Sequence, residues 1–133
     1  MTDIVVADTN VVSYIFKEDS RGRLYEPHLG GKDVVISFVT LAELDRWAIS
    51  SSWGETRKRK LEAYLDGFFV VHSNAMLCHL WAEIVESGKQ KGQPIQPGDA
   101  WIAATALLHK VPLVTHNRKD FVGVEGLTLF SEN

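Results

Sequence analysis

With Cys78 as its only cysteine, the 133-residue chain can form no intrachain disulfide, so packing and hydrogen bonding must hold whatever fold it adopts. Leu77, Leu80 and Trp81 surround that cysteine in sequence, which predicts a buried thiol without a chemical task. Long hydrophobic runs are missing too, and nothing approaches the roughly 20 apolar residues of a membrane span. Asp3 stands where a secretory leader carries positive charge. The expectation is a cytoplasmic protein with no membrane contact.

Excess positive charge is also absent. A net charge of −3 excludes binding by broad phosphate attraction, so any nucleic-acid contact must be local. The run "RKRK", Arg57 to Lys60, is one local candidate, although four charges on a short helix more often form a solvated face. The chain lacks GxxxxGK[ST], which excludes a P-loop NTPase. Its histidines, 28, 72, 79, 109 and 116, have no zinc-ligand spacing, and only His116 adjoins other candidate site residues. Repeats, low-complexity tracts and Pro/Ser-rich linkers are missing, which predicts one domain over residues 1–133.

What is present is an alternation of two periods. Short β-branched or aromatic runs at Ile4–Ala7, Val34–Ser37, Phe68–Val71, Leu113–Thr115 and Leu127–Phe130 read as strands. Between them, Leu41/Leu44/Trp47/Ala48, Leu77/Trp81/Ile84/Val85 and Ile102/Ala103/Ala106/Leu107 carry helical spacing. Glu55 to Asp66 reads as a further helix, with Gly67 as its left-handed terminator. Such alternation predicts an α/β fold, a sandwich of helices around a central, mostly parallel sheet.

In open α/β sheets ligands bind beyond the carboxyl ends of the strands, and the polar residues there carry the functional reading. Asp8 ends the first run, Glu43 opens the helix after the second, Asn117 follows "PLVT", and Asp120 comes three residues later. Asp99 starts the helix "DAWIAATALL" after the turn-forming "QPIQPG". Each has a purely structural reading. Asp8 can cap a helix, Glu43 completes a capping box with Thr40, Asp99 favours a helix dipole, and Asp120 can cap a turn beginning at Phe121. Local capping gives no reason for all of them to gather at one sheet edge. Gathered carboxylates repel one another unless a cation keeps them ionised, and oxygen ligands suit Mg²⁺ or Mn²⁺.

The segments "VVADTNVVSYIF", "VTLAELDRWA", "PIQPGDAWIAATAL" and "PLVTHNRKDF" together resemble the PIN-domain ribonucleases, particularly the VapC toxins of toxin–antitoxin pairs, from Ile4 to about Phe130. The resemblance implies a three-layer α/β/α sandwich and a metal-dependent endoribonuclease that cuts unpaired tRNA, rRNA or mRNA. It assigns Asp8 and Asp99 as principal Mg²⁺ or Mn²⁺ ligands, with Glu43 completing the cluster directly or through water. It makes Thr9 and Asn10 supporting residues and places Asn117 or Asp120 at the fourth wall. Many members have an acid where this chain has Asn117, and the amide puts a second tightly held metal in doubt. The family also implies a VapB-type antitoxin and a homodimer pairing through apolar helices, for which Tyr14–Phe16, Trp47–Ile49 and Tyr64–Leu65 are the candidates.

Arg118 and Lys119 flank the expected site and are placed to meet RNA phosphates. Trp47 and Trp101 read as packing residues, and Trp53 as free for an interface or a base. Two rival readings stand beside the ribonuclease: a PIN-like module that binds RNA or protein without cutting, and an Asp-dependent phosphohydrolase or phosphoacceptor domain.

Overall fold

The computed structural model describes residues 3–133. Five strands, β1 (Ile4–Ala7), β2 (Asp33–Ser37), β3 (Phe69–Val71), β4 (Leu113–Val114) and β5 (Leu129–Phe130), form one sheet in the order β3-β2-β1-β4-β5. Every pairing is parallel, with Val5 opposite Val34 and Ala7 opposite Val114. Six helices accompany them: α1 (Thr9–Phe16), α2 (Ser20–Leu29), α3 (Phe38–Ser50), α4 (Glu55–Leu65), α5 (Ala75–Gln90) and α6 (Pro97–His109).

Side chains alternate across a strand, and this splits the interior into two layers. Val5, Ala7, Val34 and Ile36 pack with residues of α1 to α4, whereas Val6, Val35 and Leu113 pack with α5 and α6. Strands covered on both faces read as unbroken apolar runs, as β1 and β2 do. The result is the three-layer α/β/α sandwich that the alternation and the resemblance implied. Among the described residues no helix is long and apolar enough to cross a membrane.

Three local expectations change. Cys78 is exposed, because it lies on α5 beside Leu77, the residue of that pair turned into the core. Gly67 does not take a left-handed conformation: α4 closes by tightening, with Gly67 N–H donating to Tyr64 O and Phe68 N–H to Leu65 O, while Asp66 stays right-handed. Trp53 is half-buried, stacked on Phe16 at 5.7 Å, and meets Trp47 edge-on in an aromatic cluster that includes Tyr64. Of the residues offered for helix pairing only Ile49 stays largely exposed, at 72%.

Helix α2 had no counterpart in the periodic reading, because "SRGRLYEPHL" carries little apolar content and includes Pro27. Its start is nevertheless encoded by Asp19, whose carboxylate accepts from the Arg21 N–H. Gly22 lets it lie against α1, since a Cβ there would meet the Tyr14 and Ile15 backbone at 2.9 Å.

Candidate active site

Strand order reverses at β1, which has β2 on one side and β4 on the other, and such a switch point opens a crevice at the strands' carboxyl ends. Asp8 and Thr115 emerge there side by side. Asp8 N–H donates to Val114 O at 2.9 Å, which ties the end of β1 to the end of β4. The Asp8 carboxylate is buried, at 4% exposure, and both of its oxygens are engaged. Oδ1 accepts from the Thr9 N–H at 2.8 Å, as a cap of α1, and Oδ2 accepts from Thr115 Oγ1 at 2.7 Å. Capping is therefore a real duty of Asp8, but it occupies one oxygen only.

Burial pushes the Asp8 carboxyl up to about 7. The donor Thr115 pulls the other way, Asp99 raises it, the Thr9 N–H lowers it, and Glu43 raises it again. Asp99 is raised to about 6, first by burial and then by the negative charges of Asp120 and Glu43. Asp8, Asp99 and Glu43 thus lie within electrostatic reach of one another, and Asp120 lies within reach of Asp99.

Of the structural readings of the other acids, that of Asp99 holds, since it lies in the first turn of α6, and those of Glu43 and Asp120 do not. Helix α3 begins at Phe38 with Ser37 as its cap, so Thr40 lies within the helix and forms no capping box with Glu43. Ser37 takes the cap because it ends β2, two residues before the Val39 N–H that it accepts. Glu43, which does not open that helix, accepts from Thr9 Oγ1 at 3.0 Å, and Thr9 Oγ1 also meets Thr40 Oγ1 at 2.9 Å. Asp99 lies in the first turn of α6 but not at its start, which is Pro97, the residue whose missing N–H suits that position. Asp120 caps no turn beginning at Phe121. It ends a single 3₁₀ turn, Arg118–Asp120, that follows Asn117.

Asn117 is half-buried, and its N–H donates to Thr115 Oγ1 at 3.0 Å. Asn10 reaches the same loop from α1, its Oδ1 facing the His116 N–H at 3.5 Å. The His116 ring turns away from the acids toward the buried Tyr25, whose hydroxyl lies 2.6 Å from Nδ1. Arg118 and Lys119 are exposed on the 3₁₀ turn. Lys119 shares the rim of a cleft with Asp99 and Asp120, and Arg118 does not line that cleft.

Two supporting residues escaped the sequence reading. Thr115 and Thr40 are fully buried hydroxyls, the first donating to Asp8 and the second meeting Thr9. Thr115 had left one signal, a polar residue closing the apolar run "PLV".

Asp8 and Asp99, with Glu43, are the groups that could hold a cation. Among the described residues no three His, Cys, Asp or Glu side chains form a ready metal cage. Two carboxyls raised by burial and by neighbouring negative charges suit Mg²⁺, which takes one or two carboxylates and otherwise keeps its waters.

The PIN domain family model matches residues 5–127. Ribonuclease VapC1 of Haemophilus influenzae (strain R2866) is 31% identical over 126 residues, covering 93% of this chain and 94% of that protein. The fold superposes on the crystal structure of VapBC2 from Rickettsia felis bound to a DNA fragment from their promoter, with a TM-score of 0.83 and 28% identity over 96% of this chain and 98% of that one. It superposes equally on VapBC-1 from nontypeable Haemophilus influenzae, with a TM-score of 0.82 and 30% identity over 96% and 97% of the two chains. The chain belongs to the PIN domain family.

Proposed function

We propose that this protein is a metal-dependent endoribonuclease, acting as one PIN unit over residues 1–133, and that it is the toxin of a VapBC-type toxin–antitoxin pair. The observation that carries the reading is the buried Asp8 carboxylate at the end of the central strand, within electrostatic reach of Asp99 and Glu43. A lone buried acid is costly in any packing role, and a group of them is chemically useful once a cation is present.

Asp8 and Asp99, with Glu43 directly or through water, would hold Mg²⁺ or Mn²⁺, which when bound supplies positive charge to the phosphate and lowers the pKa of water. The chain's own residues do the rest. Thr115 and the Thr9 N–H fix both oxygens of Asp8, so its orientation is set before substrate arrives. The Thr9 hydroxyl holds Glu43 over the same edge, where Glu43 or Asp120 can orient the attacking water and take its proton. Asn117 contributes an amide without charge, and Arg118 and Lys119 offer cations to RNA phosphates.

The cognate partner is a VapB-type antitoxin that covers this acidic edge, and the active form is a homodimer. The RNA substrate is an unpaired segment of tRNA, rRNA or mRNA. Asn10 stands where a DxD phosphoacceptor motif needs a second acid, which counts against a phosphoacceptor aspartate at Asp8. The non-cutting PIN module has the neutral Asn117 in its favour.

Purified wild type is expected to cleave RNA in Mg²⁺ buffer, while Asp8→Ala and Asp99→Asn, both folded by circular dichroism, do not. Cleavage at wild-type rate by both variants would overturn the reading. Absence of any Mn²⁺ binding heat in the wild type would favour the non-cutting module.

A further inference from the structure

A cleft of about 320 Å³ opens from the acidic edge, between the α5–α6 connection and the segment that follows the 3₁₀ turn. Asp99 and Asp120 line it, so it is continuous with the candidate active site. Its apolar walls are Ile84 and Ile95 on one side and Val122 and Val124 on the other. Its polar groups are the amides of Gln93 and Gln96, with Lys119 as the single cation. Both glutamines are exposed, and among the described residues neither amide side chain has a hydrogen-bond partner in the protein.

The cleft is built. Lys91 Nζ donates to Gly123 O at 2.6 Å and clasps its two walls together. Gly123 lets the Gln93 side chain lie close against that wall, since a Cβ there would lie 2.9 Å from Gln93 Oε1. The volume reaches the lower end of the roughly 300–1,000 Å³ range of small-ligand sites.

Charge decides what enters. Two carboxylates at the mouth and one lysine make the interior a poor seat for a phosphate. A neutral planar group meets no such penalty, with aliphatic walls for its faces and free amides for its edge. Aromatic side chains are absent from the lining, so selectivity would rest on edge hydrogen bonds, not on stacking. We propose that this cleft seats the unpaired nucleobase beside the phosphate that is cut, and that Gln93 and Gln96 determine which base is taken. This assignment rests on the ribonuclease reading above.

Cleavage ends mapped on a random-sequence RNA pool should show a base preference beside the cut, and Gln93→Leu/Gln96→Leu should reduce it on the order of tenfold, the discrimination that bidentate amide contacts provide. Total cleavage should persist, since neither glutamine belongs to the acidic cluster. A second measurement does not depend on cleavage. Titrating the metal-free protein with AMP, GMP, CMP and UMP in turn, one nucleotide should shift the amide resonances of Val122 and Gly123 more strongly than the others, and the double variant should lose that preference. Identical cleavage maps for wild type and the double variant would overturn the assignment while leaving the ribonuclease intact. If the wild type cuts no RNA, the ribonuclease reading fails and the assignment falls with it. A cleft that ignores all four nucleotides and is protected only by a bound protein partner belongs to that partner, which also overturns the assignment.

Discussion

The Thr115 hydroxyl donates to Asp8 Oδ2 at 2.7 Å across two neighbouring strands, while its oxygen accepts the Asn117 N–H at 3.0 Å. One fully buried hydroxyl therefore orients the central carboxylate and anchors the loop that carries Asn117.

Thr115→Val keeps the shape of the side chain and removes both bonds. The Asn117 N–H loses its acceptor and Asp8 loses a donor, which should cost about 1–3 kcal/mol in denaturant melts. RNA cleavage should fall more than stability alone explains, with Mg²⁺ required at higher concentration, because Asp8 is no longer held in one orientation. Unchanged stability and Mg²⁺ dependence would show that the hydroxyl does neither task.

The raised acids make metal-free stability depend on pH in a defined direction. In the unfolded chain a carboxyl titrates near 3.9, while Asp8 in the fold is pushed up to about 7 and Asp99 to about 6. Between those values the folded state keeps protons that the unfolded state releases, so this contribution is complete below about pH 4 and is lost as pH rises through about 7. Metal-free wild type should melt higher at pH 5.5 than at pH 8, and Asp8→Asn should flatten most of that difference. Mg²⁺ should restore the wild type at pH 8 and help Asp8→Asn much less. A wild type that becomes more stable across this interval, relative to the variant, would contradict the assignment.

Asp120 acts on Asp99 by charge alone, since no hydrogen bond joins them. After burial, its repulsion is the largest influence holding Asp99 at about 6. Asp120→Asn should therefore move the Asp99 titration down toward the ordinary carboxylate range, read by carboxyl-carbon NMR in metal-free protein. An unmoved titration would place Asp120 outside the cluster.

Gly22→Ala tests the packing that supports the site from beneath. The added methyl would lie 2.9 Å from backbone atoms of Tyr14 and Ile15, where no side chain can yield. The α1–α2 pair must separate, at about 1–3 kcal/mol, as measured by urea melts. Because α1 starts at Thr9, cleavage should weaken as well.

Much of the fold was legible in the sequence because its strands are buried on both faces and stand out as apolar runs. β1 matched Ile4–Ala7 residue for residue, and the other strands shifted by one or two positions at an end. Helix α2 was not legible, since it seats through two buried residues, Gly22 against α1 and Tyr25 in the core, and carries no apolar stripe. The Glu43 capping box failed for a related reason. Thr40 and Glu43 have the right spacing, but Ser37 lies at the end of β2 and takes the cap first.

By itself the sequence determined which polar residues would lie at the ends of elements, because strand and helix periods place Asp8 and Asn117 after strands and Asp99 in the first turn of a helix. Only the tertiary structure decided their relations. The parallel pairing of β1 with β4 puts Thr115 beside Asp8 across 107 residues of chain, and the packing of α3 on α1 brings Glu43 to Thr9. Contacts between residues so distant in sequence leave no local pattern to read. They exist because burying two faces of one sheet draws those strand ends together.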